Sequence, residues 1–470
     1  MGAIDLIQTS LCRIGEATLA LVRIEGRKAL WASSPIEGFV EGGGVENGVA
    51  YPLVVANAYR LRELLPWLQA RRITGCTSFG FGDRLGNATP GHLCALATVP
   101  HVFPVLAQQS VRENARTNRD FAEVMAAAVF GAFEAGYRGG FGADADHLKS
   151  VDDALSAADE GYTLFTCDPG DHVPALDGLE SSEIVRRFRS RPDAEDIRSS
   201  FLGRLVEVEG LVPFRLTEED VARAAVKYGD AVQLAEKMYR ALAVRCPNGF
   251  DFEMSVDETD SPTTPLEHVF VASELKRRDV TLWSLAPRFP GAMEKGVEWR
   301  GDFNHLQADM RSHAAIARAF GGYRLSLHSG SDKFSIYPLL AEATQGLCHV
   351  KTAGTSYLVA LEVVANRAPE VFREILALSR ERFGEEKASY HLSASLERAP
   401  SARSLLDHEL LDLVAQHDAR QILHVGYGAV LADPLGAKLD CVLREYEDEY
   451  YERLANHLGR HVRLLGGGVR

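Results

Sequence analysis

The chain has 470 residues, 46% hydrophobic and 25% charged, the ordinary make-up of a folded protein with a large core. Acidic residues outnumber basic ones, 65 to 51, and the net charge of −14 comes with no basic stripe, which argues against nucleic acid or anionic membrane as partners. No apolar run is long enough to span a bilayer, the N-terminal residues lack the pattern of an export signal, and the seven cysteines are scattered without a CxxC pair, so a cytoplasmic chain with free thiols is expected.

Residues 1–72 read as an N-terminal elaboration. It contains short strands at 18–22 and 29–32, a flexible joint at Glu41-Gly-Gly-Gly44, and an amphipathic stretch over 59–72 that Pro66 interrupts. From residue 73 strand and helix signals alternate. Strand starts fall near 73, 102, 137, 162, 250, 281, 323, 348 and 421. Residues 173–245 are charged and helical, with no clear strand, and read as a helical insertion after a core strand, of the kind that can form a lid. A helix is predicted over 303–319, closed by Gly321-Gly322. Residues 436–470 read as C-terminal helices and a Gly-rich tail.

Sustained alternation with polar residues just after the strands is the pattern of a parallel sheet whose loops share one side. The fold class predicted for residues 73–435 is an α/β (β/α)8 TIM-like barrel, with a doubly wound open sheet as the alternative. The barrel is preferred because chemistry-capable residues follow nearly every strand, as a ring of loops requires.

The strand over 325–327 runs into His328 and then Ser329-Gly-Ser-Asp332-Lys333, which places an imidazole, a carboxylate and an ammonium within a few positions. Asp146-His147, His328 and His349 each lie at or near a strand end, so imidazoles and carboxylate from different strands can converge on one divalent ion. His349, deep in its strand, is read equally well as a packed core residue. His172, His268, His305, His313 and His424 are possible substitutes as ligands. The strand over 250–257 puts Phe250, Phe252, Met254 and Val256 on one face and Asp251, Glu253, Ser255 and Asp257 on the other, with Glu258 opening the loop. Carboxylates beside a metal suit proton shuttling, while Asp260 or Thr264 serves as a helix N-cap. Lys351 shares strand phase with His349, and Arg288 and Lys333 are candidates to pair with an anionic substrate. Gly80-Phe-Gly82-Asp83-Arg84-Leu-Gly86 is a poor dinucleotide fingerprint, because its third glycine falls a residue late and Asp83 would repel a pyrophosphate.

Several long stretches together resemble the bacterial tagaturonate/fructuronate epimerase family. They are SFGFGDRLGNATPGH (78–92), LAQQSVRENAR (106–116), GYRGGFGADADHLK (136–149), DPGDHV (168–173), SVDETDSPTTPLEH (255–268), LAPRF (285–289), LSLHSGSDKFSIYP (325–338) and HVKTAGTSYL (349–358). The resemblance implies a barrel and a metal-dependent isomerase that inverts C4 of a keto-hexuronate, interconverting D-fructuronate and D-tagaturonate. The site residues rest on position. His147, His328 and His349 are the expected ligands of one divalent metal, and Asp146, Glu258 and Lys351 the expected catalytic groups. Asp83, Arg84, Asp257, Arg288, Asp332 and Lys333 are the expected substrate-binding residues, with the substrate carboxylate falling to Arg288 or Lys351. The C4 proton is β to the ketone and is not acidified by it. Inversion there therefore needs retro-aldol cleavage and re-closure, transient oxidation, or metal-assisted proton exchange. A metal-dependent aldolase or another sugar isomerase is the nearest rival reading, and a non-catalytic sugar-acid sensor the rival of another class.

Overall fold

Eight short strands close into a parallel barrel in the computed structural model, which describes residues 4–73, 77–390, 392–402 and 405–466. In chain order they are β1 (Ser78–Phe81), β2 (Phe103–Ser110), β3 (Gly142–Leu148), β4 (Leu164–Cys167), β5 (Asp251–Ser255), β6 (Ser284–Ala286), β7 (Arg324–Leu327) and β8 (Cys348–Thr352). Each pairs in parallel with its sequence neighbours, and β8 pairs with β1. The protein is a (β/α)8 barrel.

Inward and outward residues alternate as strand geometry demands. On β5, Phe252 packs outward near Tyr239 of the helix Glu218–Arg245, at 5.4 Å between rings, while Glu253 and Ser255 turn inward. Toward the amino ends of the strands the barrel is filled by Ile73, Val105, Leu164 and Trp283. Above them the interior is polar, where most barrels of this kind stack branched apolar side chains. Burying so many polar groups is tolerable only because they satisfy one another.

Helix Glu218–Arg245 follows β4 and lies against helices Val151–Asp159 and Pro265–Arg277, in the position of the barrel's own helix. Helices Ser181–Arg189 and Ala194–Phe201 pack on it, with a small hairpin of Leu205–Val206 and Phe214–Arg215. The N-terminal residues form an antiparallel sheet that includes Ala17–Ile24 and Arg27–Ala32. The expected joint at residues 41–44 is partly strand, since Gly43–Val45 pairs with Gly48–Tyr51 at the sheet edge. The last helix, Glu447–Gly466, packs on Thr89–Ala95, Tyr337–Thr344 and Thr355–Arg367.

The expected helix over 303–319 is present as Phe303–Ala319. Three strand expectations need correction. The strand expected to start near residue 137 begins at Gly142. Residues 421–425 are the end of the helix His417–Val425, because a short, wholly buried apolar run carries no periodicity that separates strand from helix. The strand sought at 73–78 begins at Ser78, and residues 74–76 of that stretch lie outside the described residues. So do Cys76 and the end of the Gly-rich tail. The six described cysteines are free thiols, and no described helix is long and apolar enough to cross a membrane.

Candidate active site

Lys351 stands at the centre of the barrel interior. Its ammonium lies 2.6 Å from Asp144 Oδ2, 2.8 Å from Asp146 Oδ1 and 2.8 Å from Glu253 Oε1, and donates to Thr166 Oγ1 at 2.6 Å. Thr166 in turn donates to Asp144 Oδ1 at 2.9 Å, and Ser284 donates to Glu253 Oε2. Strands β3, β4, β5, β6 and β8 are thus laced together by one buried polar network.

The mouth of the barrel lies just above. On β3 an extra residue is inserted opposite β4, where Ala145 pairs with Phe165 but Leu148 with Cys167. His147 takes a left-handed backbone conformation there, φ +52°. Strict alternation would send Asp146 inward and His147 outward. The bulge lets both face the site, and the His147 Nδ1–H lies 2.8 Å from Asp146 Oδ1. Gln108 donates to the other oxygen of Asp146 at 3.1 Å. Across the mouth, His328 follows β7. Its Nε2 lies 2.7 Å from Glu253 Oε1 and its Nδ1 3.3 Å from Asp257 Oδ1. The rings of His147 and His328 are 4.9 Å apart, and His147 Nε2 is 3.7 Å from the same Asp257 oxygen.

Three carboxylates here crowd one ammonium, and a fourth, Asp257, faces the two imidazoles. Burial resists ionisation, yet Lys351 and the two imidazoles hold Asp146, Glu253 and Asp257 well below the usual carboxylate range. Asp144 is the exception, since burial and its acidic neighbours push it up to about 7. Conversely, burial works against charge on the imidazoles, but Asp257 and Glu253 hold His328 up at about 9, and Asp146 holds His147 well above its usual value. The field asks for two more positive charges between the rings and Asp257.

A divalent cation meets that demand as well as two protons do. Asp146, His147 and His328 each offer a ligand atom within 4.8 Å of the others. His147 Nε2 is buried with no hydrogen-bond partner among the described residues. Each ring also has its other nitrogen on a buried carboxylate, the arrangement that orients metal-binding histidines. Two imidazoles with carboxylates form a donor set suited to a divalent transition ion.

Two hollows adjoin this cluster. A cleft of ≈560 Å³ is lined by Asp257, Glu258, Arg288, Lys295, His328 and Tyr390, among others. A small cavity of ≈30 Å³ beside it is walled by Asp146, His147, His328 and Lys351. Glu258 sits at the cleft, 3.2 Å from Arg112 and 3.6 Å from Lys295, and against burial Lys295, His147 and Arg112 hold its carboxyl down at about 2. The Arg288 guanidinium has no hydrogen-bond or ion-pair partner among the described residues. A larger hollow of ≈880 Å³ lies outside the barrel helices, around the Lys28–Glu134 and Lys28–Glu447 pairs, and none of the cluster lines it.

The structure therefore brings together Asp146, His147, Asp257, Glu258, His328 and Lys351, with Arg288 across the cleft. Asp146 and His147, expected at or near a strand end, lie within β3 close to its carboxyl end. His349 is not brought to the mouth. It points into the barrel lower down, its Nδ1 2.9 Å from Ser78 Oγ and its ring 5.4 Å from Trp283, and burial lowers it to about 3. The protons of Lys351 are committed to the network of Asp144, Asp146, Glu253 and Thr166.

The other residues expected to bind substrate have partners within the protein. Asp83 caps the turn after β1 by accepting the N–H groups of Leu85, Gly86 and Ala88. Arg84 is buried against Glu113 at 2.8 Å and the Tyr427 ring at 3.7 Å. Asp332 pairs with Arg420 at 2.8 Å and His457 at 2.6 Å, which straps the β7 loop to the C-terminal helices. It could group with His457 and His461 around an ion, but its own N–H already occupies His461 Nε2. Lys333 donates to the carbonyls of Glu294, Val297 and Ser331 and so pins the β6 loop to the β7 loop.

Sequence reading missed Asp144, Thr166, Glu253, Ser284, Arg112 and Lys295 as members of the site. The i, i+2 spacing of Asp144 and Asp146 and the polar face of β5 were the available signals.

Polar residues converging from several strands at the carboxyl end of a parallel barrel define a (β/α)8-barrel enzyme. A family model described as tagaturonate epimerase matches residues 7–465. The tagaturonate/fructuronate epimerase of Thermotoga maritima is 46% identical over 408 residues, 87% of this chain and 84% of that protein. The native crystal structure of fructuronate-tagaturonate epimerase UxaE from Cohnella laeviribosi superposes with a TM-score of 0.94 at 33% identity, covering 99% of this chain and 97% of that one. A glycerol complex of the same enzyme gives 0.94 at 33%, over 98% and 96%. The chain belongs to the tagaturonate epimerase family and is a carbohydrate epimerase, an isomerase.

Proposed function

We propose that this chain interconverts D-tagaturonate and D-fructuronate by inverting C4, with one divalent cation held by His147, His328 and Asp146, and with Asp257 beside them. The observation that carries the reading is the pair of imidazoles, each anchored through one nitrogen and turned through the other toward Asp257, beside a cleft lined by the Arg288 guanidinium. Family membership supplies the substrate pair.

The cation supplies Lewis-acid stabilisation of negative charge on the substrate's ketone oxygen. The chain's own groups do the rest. Arg288, across the cleft, binds the uronate carboxylate and fixes the sugar's direction. Glu258, ionised and at the cleft edge, takes the proton of the C4 hydroxyl, and Arg112 and Lys295 hold it in place. Loss of that proton lets the C3–C4 bond break, its electron pair passing to the ketone half while C4 becomes an aldehyde. Rotation of the aldehyde and re-closure, with Glu258 returning the proton, gives the epimer. Asp146 accepts from Lys351, His147 and Gln108, so it orients His147 and is not free to act as a base.

The test is NMR of the product formed from fructuronate by the chelated protein, before and after each of several divalent metals is restored. Tagaturonate formed only on metal addition supports the reading. Three-carbon fragments accumulating in its place identify an aldolase, and no turnover under any metal removes the proposal.

A further inference from the structure

Helix His417–Val425 reaches the site from outside the barrel. Its His424 helps wall the small cavity that Asp146, His147, His328 and Lys351 share. The ring is 1% exposed. Its Nε2 lies 3.4 Å from an Arg84 nitrogen, and a guanidinium can only donate, so Nε2 accepts and the ring proton sits on Nδ1. That Nδ1 is buried with no hydrogen-bond partner among the described residues. A buried, unpaired donor is costly, and it persists where something else is meant to fill its place.

Three further features hold the ring in this state. Arg84 also donates to the His424 carbonyl at 2.8 Å and is itself fixed by Glu113 and Tyr427, so the acceptor side of the imidazole is set. Gly296 and Gly354, which also wall the cavity, give the ring its room. A Cβ on Gly296 would lie 3.0 Å from His424 Nδ1, and one on Gly354 would collide with the ring. Burial, with Arg84, Lys295 and Arg420 nearby, holds the imidazole neutral, well below its usual range.

We propose that His424 is a further catalytic residue, whose Nδ1–H donates a hydrogen bond to the substrate oxygen that gains negative charge in the reaction. A donor already in place and shielded from water stabilises such charge without reorganising. Arg84 acts through it as a positioning residue. The inference rests on the epimerase reading and adds to it a group outside the barrel strands.

The experiment compares His424→Leu, His424→Asn and His424→Gln with the metal-loaded wild type. An asparagine amide can put a donor where Nδ1 stood, whereas a glutamine reaches toward Arg84 and leaves that place empty. His424→Leu is expected to lose about 10²–10³-fold in kcat, the usual cost of one such donor, with metal content and KM little changed. His424→Asn is expected to recover about tenfold over His424→Gln. Leucine within about threefold of wild type, glutamine equal to or better than asparagine, or metal lost in step with activity each overturns the proposal. A binding measurement separates this inference from the reading beneath it. In wild type labelled with ¹⁵N-histidine, the His424 Nδ1–H signal, assigned by its absence from His424→Asn, should move downfield when tagaturonate is added, whether or not turnover follows. An unmoved signal at saturating sugar overturns it.

Discussion

Lys351 on β8 lies 2.6 Å from Asp144 on β3, inside a barrel whose interior at this level holds more carboxylates than ammonium groups. Both side chains are buried and each would be costly alone. Removing the ammonium leaves Asp144, Asp146 and Glu253 facing one another. Lys351→Met is therefore expected to lower stability by about 3–5 kcal/mol. Urea unfolding followed by circular dichroism measures it, and a loss under about 1 kcal/mol contradicts the central role given to this ammonium.

Glu258 is the carboxylate assigned to move the C4 hydroxyl proton. Glu258→Gln keeps the shape and its contacts at the cleft but cannot take a proton. Turnover should fall by about 10²–10⁴-fold while bound metal is unchanged. Near-normal turnover by NMR would take Glu258 out of the mechanism.

His328 follows the last residue of β7, whereas His349 is the second residue of β8, so the two sit at different depths. His328→Ala and His147→Ala should lose bound metal after dialysis against dilute chelator, as read by elemental analysis. His349→Asn, which can keep the hydrogen bond to Ser78, should retain it. Metal lost from the His349 variant alone would reverse the assignment.

In the proposed reaction Arg288 binds the substrate's carboxylate in the ground state and the transition state alike. Arg288→Met should raise KM by about 10–100-fold, the worth of a charge-assisted hydrogen bond, with a smaller change in kcat. An unchanged KM for the uronate would leave the carboxylate to another group.

His268 and His313 give a pH prediction away from the site. Tyr323 donates to His268 Nε2 at 2.6 Å, the His268 Nδ1–H meets His313 Nδ1 at 2.8 Å, and the His313 Nε2–H reaches the Thr263 carbonyl at 3.0 Å. Both rings must be neutral for this chain to form. Burial lowers His313 to about 4 against an unfolded value near 6.5. The unfolded state then binds more protons between those values, so stability falls as pH drops through that window. At pH 5 His313 alone accounts for about 2 kcal/mol. Melting temperature between pH 7 and 5 should therefore fall more steeply for wild type than for His313→Gln, and parallel curves would contradict it.

The amino-acid order alone determined the alternation that makes the barrel, because strand and helix leave their periods in local sequence. It also marked His147, Asp257, Glu258, Arg288 and His328, because polar residues just past a strand have few other reasons to recur. Alternation on β5 even identified the inward face that carries Glu253. Local periodicity could not tell a buried helix from a strand at residues 421–425. Nor could it say which of several basic and acidic loop residues face the cleft. Lys333 and Asp332 sit in the same loop as His328 and are spent on tying loops and helices together, an outcome set by groups more than thirty residues away in sequence. The bulge that turns His147 beside Asp146, and the approach of His424 from a helix beyond the last strand, belong to the same class. Each depends on register or packing between distant segments, and the energy that selects them exists only once those segments meet.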